Sequence, residues 1–516
     1  MLPESQPSPK GEDARVARAP HPAAPGLAWR ALAMPAIGAL AVAGAALRFV
    51  RLEGQSFWYD EAVSAELGSR TAWDLLSGRA RDLGNPPLHP LLLHFWGLVF
   101  GTGDGSLRAL SAVLGALCVP VLFSVARRMV GDRRGALAAA IFAVAPLHVY
   151  LAQEARAFAL LTLLGLVSIQ QLQRAIEAPS RWRWWIGWAL ATAGALYAHY
   201  YAFFLLAGEA LWVAAQPRGA APARRRFLTA LAGVFLLYGP WIPSFLVQLA
   251  AKGNLARSPE SWYLHALATP FTYVAGVTLV WKDHPGTARL VLAGLVTLAA
   301  LGACWAGLSQ LRRERRLLPL LCWGGVPVLL PLALSVAATP IYNVRYVAFA
   351  APPFYVAVAV GLVSLRPWWR RACVLVLGAG VLVSLVRYFT LPVKHDWRSA
   401  TAYVEEHAAP SDLVLFEADF NETAYAHYAT AAQPRIRLLP PPTDTDRQGI
   451  YGVARPGEPL REVSATVNSQ QRVWLVVADP DPRVDARLRG HFALGWHAKD
   501  RASFKGIELL LFTRGQ

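Results

Sequence analysis

The sequence predicts a polytopic α-helical membrane protein that ends in a small α/β domain. Three observations carry this prediction. Of the 516 residues, 55% are hydrophobic and only 16% charged, with a mean hydropathy of +0.34, whereas soluble globular chains are about one quarter charged. Apolar stretches near the length that crosses a bilayer core recur as far as residue 390. Beyond it charge rises, and short strand-like runs alternate with helical ones.

The net charge of +17 raises nucleic acid as a partner, and the distribution excludes it. Basic residues fall in short clusters between apolar segments, as in a chain that sets its membrane orientation by the positive-inside rule, and not on one soluble face. Cys118, Cys304, Cys322 and Cys373 all lie in or beside apolar segments, where cysteine is a small apolar filler. No CxxC pattern or disulfide framework is present.

Residues 1–29, rich in Pro, Ala and charge, read as a disordered cytoplasmic tail, too long and polar for the n-region of a signal peptide. Residues 31–50 form a first, uncleaved span. Residues 51–105 are interrupted by Asp60, Glu61, Glu66, Arg70, Asp74, Arg79, Arg81 and Asp82. They read as an outer loop with two short amphipathic pieces, 60–77 and 87–100, the second lying flat on the membrane. That choice places the cluster Arg127, Arg128, Arg133 and Arg134, and every later basic cluster, on the cytoplasmic side. About eleven spans follow: 31–50, 106–127, 135–151, 157–174, 184–199, 201–216, 227–248, 287–308, 317–338, 345–365 and 372–390. The stretch 184–216 is divided at Ala198-His199-Tyr200-Tyr201, and 250–286 is an outer loop with an interfacial piece at 262–281. The span centres read as apolar. An odd number of spans puts residues 391–516 outside as an α/β domain, with strands at 413–416, 473–477 and 507–512 and a helix at 396–407. Leu439-Pro440-Pro441-Pro442 reads as a loop or connector. The organisation is thus a tail (1–29), a transmembrane domain (30–390) with an outer loop (51–105), and an extracytoplasmic α/β domain (391–516), in a multi-pass protein of the plasma (inner) membrane.

Polar groups converge on the outer turns: Asp60-Glu61 behind Trp58-Tyr59; Asn85 to Pro90; Gln153-Glu154-Ala155-Arg156; His199-Tyr200-Tyr201; and Tyr342 to Tyr346. Ionisable groups at membrane depth are costly and usually functional where they face a cavity. These same motifs carry a resemblance. Phe57-Trp58-Tyr59-Asp60-Glu61, the run Asn85 to Trp96, Leu107 to Ala112, Gly131 to Gly135 and Gln153 to Arg156 together resemble the polyprenyl-phosphate-dependent integral membrane glycosyltransferases of the C-type fold. That group contains protein O-mannosyltransferases and bacterial aminoarabinose transferases. The resemblance covers residues 30–220 well and the later spans in layout. Where many relatives carry His-Pro-Pro, this chain has Asn85-Pro86-Pro87.

The resemblance implies an inverting, mannosyltransferase-like transfer of a sugar from a polyprenyl-phosphate donor to a glycan, lipid or protein acceptor at the outer face. Such transfer needs a base for the acceptor proton and cations for the departing phosphate. Asp60 is assigned the base. Glu61 either orients Asp60 or is solvated. Glu154 is a second acid on the acceptor or metal side, the alternative being a salt bridge to Arg156. Arg345 is assigned to the donor phosphate, facing no buried carboxylate, with membrane anchoring as its bland alternative. Arg156 is the other phosphate candidate. His89 and His199 are substrate-binding candidates that a structural role would also explain, and Tyr200 is either a substrate neighbour or a belt aromatic. The metal ligands, if a divalent ion is a cofactor, are not legible. The competing class is a lipid or glycan transporter or flippase, which would place ionisable groups and broken helices near mid-membrane.

Overall fold

A computed structural model of the chain describes residues 27–80, 85–253, 262–278, 286–416, 421–430, 467, 470–478 and 482–514. The tail as far as residue 26 and the Leu439 to Pro442 run lie outside these. The helices are α1 (Leu27–Leu47), α2 (Tyr59–Gly68), α3 (Ala72–Leu76), α4 (Leu88–Phe100), α5 (Asp104–Val130), α6 (Asp132–Val144), α7 (Pro146–Ala152), α8 (Phe158–Glu177), α9 (Trp182–Ala198) and α10 (Ala202–Ala214). There follow α11 (Ala221–Tyr238), α12 (Ile242–Gly253), α13 (Trp262–Ala275), α14 (Thr287–Arg313), α15 (Leu317–Leu320), α16 (Val326–Ala337), α17 (Pro352–Ser364) and α18 (Pro367–Thr390). The terminal domain holds α19 (Trp397–His407), β1 (Leu413–Phe416), α20 (Asn421–Tyr428), β2 (Arg472–Ala478), α21 (Pro482–Phe492), β3 (Trp496–Phe504) and β4 (Ile507–Arg514).

By length and composition, six helices among the described residues could cross a membrane, and a seventh if the pair α6–α7, bent by 58°, counts as one span. The other expected spans fall on helices short of that test: α1, α9, α10 and α17. The bend in α6–α7 falls where Pro146 interrupts the helical ladder. The buried Arg48 at the end of α1 satisfies the carbonyls there, donating to Ala143 O (2.7 Å) and Phe142 O (3.5 Å). The split at His199 is seen as expected: the residue is extended (φ −162°, ψ 139°), and its Nδ1 accepts the Tyr201 N–H (3.1 Å) at the start of α10.

Two expectations are corrected. Helix 345–365 begins only at Pro352, because residues 344–347 form a turn and 348–350 a 3-10 helix. The span centres are not wholly apolar either, since Glu209 of α10 is fully buried. It is held by Ser168 Oγ (2.6 Å) and Trp188 Nε1 (3.1 Å), which ties α8, α9 and α10 together. A buried carboxyl is tolerated when its oxygens are met by donors.

In the loop ahead of α5, the piece 60–77 is two helices and 87–100 is one. Helix α4 has 13 residues, about 20 Å at 1.5 Å per residue, well short of a bilayer core. Its Phe95, Leu98, Val99 and Phe100 are exposed, as expected of a helix resting on lipid.

The terminal sheet has the order β1-β2-β4-β3, with β1–β2 parallel and the other pairs antiparallel. Trp397, Ala400, Val404, Ala424 and Tyr425 of α19 and α20 cover one face, and Phe492 of α21 covers the other. Strand β3 escaped the sequence reading because it is an edge strand with mostly exposed, polar residues, a common protection for sheet edges. Ala62 of α2 is buried in this domain's core cluster beside Trp397 and Tyr425. The loop that carries Asp60 is therefore packed between the helical body and the α/β domain.

Candidate active site

Asp60 occupies the first turn of α2, after Trp58 in an extended N-cap conformation. A carboxylate there is favoured by the helix dipole. Its Oδ2 lies 3.9 Å from Arg156 and 3.8 Å from Arg345. These are charge contacts longer than hydrogen bonds, and the side chain is 18% exposed. The carboxylate is thus held between two guanidinium groups without being consumed by either.

The loop 153–157 supplies the neighbouring wall. Arg156 Nη1 donates to Asp60 O (3.1 Å) and Ser64 Oγ (3.2 Å), fixing the guanidinium against α2. Glu154 is fully buried and accepts from Arg345 Nη2 at 2.7 Å. The expectation that Arg345 faces no buried carboxylate is therefore corrected, and Glu154 pairs with Arg345, not with Arg156. The Arg345 guanidinium is also stacked between Trp58 (4.6 Å) and Phe158 (5.1 Å). Burial alone would lower its pKa, but Glu154, Tyr150 and Asp60 raise it above the ordinary arginine value.

His89, in the first turn of α4, is buried; burial and the Arg156 charge push its pKa down to about 3, so it is neutral. His199 lies among Phe158, Tyr201 and Tyr346, one aromatic ring away from Arg345. Tyr200 points elsewhere: it donates to Gln248 and accepts from Trp241 Nε1 (3.1 Å), in the α9–α12 region. Near Asp60, the buried atoms Trp58 Nε1, His89 Nε2 and Arg345 Nε form no hydrogen bond among the described residues. Buried polar groups are normally satisfied; atoms of this kind also occur away from Asp60, at His148, Gln173 and Tyr238 among the described residues.

Glu61 turns the other way. It is fully buried and accepts from Arg108 Nε (2.7 Å) and Nη2 (2.8 Å), Lys394 Nζ (2.7 Å) and the Ala155 N–H (3.0 Å). Burial would raise its pKa, but Arg108 and Lys394 hold it well below the usual carboxylate range. The sequence reading missed Arg108 and Lys394 as site residues. It also missed Asp104, which accepts from Arg398 (2.7 Å) and Tyr428 (2.5 Å) and pairs with His427 (2.9 Å). A cavity of about 150 Å³ beside Arg108 and Lys394, lined also by Arg51, Gln55 and Gln153, includes neither Asp60 nor Arg345.

Among the described residues no group of three or more His, Cys, Asp or Glu side chains could hold a metal ion. Glu61 and Glu154 are each paired with arginine or lysine, and Asp60 stands beside two arginines.

Fold and site define a helical protein with apolar spans in which an acid and fixed cations meet beside the loop that carries α2. Residues 84–243 match the family described as Dolichyl-phosphate-mannose-protein mannosyltransferase. The chain has the fold of ArnT from Cupriavidus metallidurans. Against the apo structure the TM-score is 0.58 at 15% identity, covering 93% of this chain and 98% of that one. Against the structure bound to undecaprenyl phosphate it is 0.57 at 15% identity, covering 94% and 98%. No curated protein sequence matches. The family match covers 160 of the 516 residues, and the likeness to ArnT is one of fold. The matched segment contains His89, Glu154, Arg156, His199 and Tyr200, while Asp60 and Arg345 lie outside it.

Proposed function

We propose that this protein moves a sugar from a polyprenyl-phosphate donor to an acceptor at the outer membrane face, with inversion. The observation that carries this reading is the Asp60 carboxylate set between two guanidinium groups. Asp60 takes the acceptor proton as the acceptor oxygen or nitrogen bonds to the anomeric carbon. The bond from that carbon to the phosphate oxygen breaks, and the departing phosphate is met by Arg345, with Arg156 the second cation. Glu154 holds the Arg345 fork in one orientation, which lowers the ordering cost of binding. Neutral His89 and the Trp58 indole offer hydrogen bonds to sugar hydroxyls.

The basic clusters support an amino terminus in the cytoplasm and an extracytoplasmic 391–516 domain. Asp60→Asn keeps the shape and removes the proton acceptor. General-base catalysis contributes roughly 10²–10⁴-fold, so the variant should insert and bind donor yet lose transfer by about that factor in a membrane assay with labelled polyprenyl-phosphate sugars. Turnover within a few-fold of wild type would move the base elsewhere. A transporter or flippase would release no sugar from such donors at all.

A further inference from the structure

The strap between α18 and α19 joins the α/β domain to the helical body and carries Lys394 to Glu61. Lys394 on that strap is buried and donates to Glu61 Oε2 at 2.7 Å. The strap itself is pinned: Gln55 Oε1 accepts the N–H groups of Val393 (2.9 Å) and Lys394 (3.0 Å), and Ser56 Oγ donates to Asp396 (2.9 Å). Further out, Arg398 donates to Asp104 (2.7 Å) and the Phe57 N–H donates to Tyr428 Oη (2.6 Å). Every residue from Gln55 to Phe57, immediately ahead of the site, is thus hydrogen-bonded to the terminal domain.

Glu61 is where these ties meet the chemistry. Its oxygens join three parts of the chain: α5 through Arg108, the strap through Lys394, and the 153–157 loop through the Ala155 N–H. That loop carries Glu154 and Arg156, and Glu61 itself follows Asp60 in the first turn of α2. We propose that Lys394 is a positioning residue of the transfer reaction, through which the terminal domain locks Glu61 and so sets Asp60 against the Arg156 and Arg345 guanidinium groups. The inference rests on the functional reading above. Arg108 alone leaves the strap side of Glu61 unheld, and a shift of about 1 Å at a reacting group can cost a hundredfold in rate.

The groups facing the Lys394 ammonium are Glu61 on α2, Arg108 on α5, the Tyr150 ring on α7 (5.8 Å) and, at longer range, Glu154. Burial and Arg108 pull its pKa down to about 8, against the opposing pull of Glu61 and Glu154. Deprotonation of Lys394 therefore falls within reach of an ordinary assay.

The test uses the full-length protein in lipid nanodiscs and labelled polyprenyl-phosphate sugar. Lys394→Met should keep donor KM within about threefold and lose kcat by about tenfold or more. Lys394→Arg should restore most of the kcat and move the alkaline limb of kcat to higher pH than in the wild type. The double variant Lys394→Met/Glu61→Gln leaves Arg108 on its carbonyl acceptors at Leu52, Gln55 and Ser56, as Glu61→Gln alone does, and its loss should match that of Glu61→Gln alone, since residues acting through one another are non-additive. Wild-type kcat in Lys394→Met, an unmoved alkaline limb in Lys394→Arg, or losses that simply add in the double variant would each overturn the inference. A wild-type protein that transfers no sugar would instead overturn the functional reading.

Discussion

Arg345 shows how one side chain acquires several partners whose contributions can be separated. Its fork meets Glu154, its plane lies between two aromatic rings, and its charge reaches Asp60. Arg345→Lys keeps the charge and loses the planar fork, which matters where phosphate is recognised by two parallel hydrogen bonds. We expect about a tenfold or greater rise in donor KM with near-normal thermal stability. Arg345→Ala is a different perturbation, because it leaves Glu154 buried without its counter-charge, at a cost of roughly 3–5 kcal/mol. Donor titration and thermal unfolding in detergent distinguish the two, and an unchanged KM in the lysine variant would reduce Arg345 to a structural partner of Glu154. Asp60, Glu154, Arg156 and Arg345 could all be found from sequence, because a charged residue next to an apolar span is conspicuous. Lys394 could not. Its partner Glu61 is 333 positions away, and a lysine in a hydrophilic segment carries no mark of burial.

At the level of helices, the body is closed by very tight contacts. A Cβ on Gly307 of α14 would sit 1.9 Å from Ala357 O, and one on Gly361 of α17 would sit 1.8 Å from Ala303 O. Small residues that let helix backbones approach are the usual means of association where lipid removes the hydrophobic drive. Gly361→Ala should therefore destabilise by roughly 1–3 kcal/mol or more, since the clash is with backbone and cannot be relieved by a rotamer change. Gly378→Ala on α18, with nothing within 4 Å, is the matched control and should be neutral or slightly stabilising. Equal unfolding temperatures for the two variants would contradict the packing argument. Helix positions were legible in the sequence because apolar runs and basic clusters alternate regularly. Helix breaks were less so: the bend at Pro146 and the late start at Pro352 depend on which carbonyls the neighbouring helices can satisfy. Glu209 was passed over since a lone acid in an apolar run gives no sign that Ser168 and Trp188, on two other helices, meet it.

For the whole molecule, the consequence of the buried Glu61–Arg108–Lys394 group is acid sensitivity. The folded-state pKa of Glu61 lies below its unfolded value. Its contribution is thus complete above the ordinary glutamate range of about 4.3 and is lost as pH falls through that range toward the lower folded value. Unfolding temperature should drop over this window in the wild type, with a shallower slope in Glu61→Gln. An identical slope in both would mean another group dominates. The orientation argued from the basic clusters predicts that protease added to intact cells or spheroplasts reaches the 391–516 domain, and protection of that domain would invert the topology. Its sheet was partly legible, three of the four strands among the described residues being apolar runs. Its seat on α2 was not, because Ala62 looks like any other helix residue.

The short helix α4 turns Phe95, Leu98, Val99 and Phe100 outward beside the Asp60 loop, and this has a kinetic meaning. In the proposed reaction protein and donor are both confined to a sheet of lipid, so the concentration that governs encounter is molecules per unit area, not per unit volume. Adding inert lipid to proteoliposomes at fixed protein and donor should slow transfer in proportion to the donor mole fraction. Diluting the same vesicles with buffer should leave the rate per protein unchanged when the acceptor shares the bilayer.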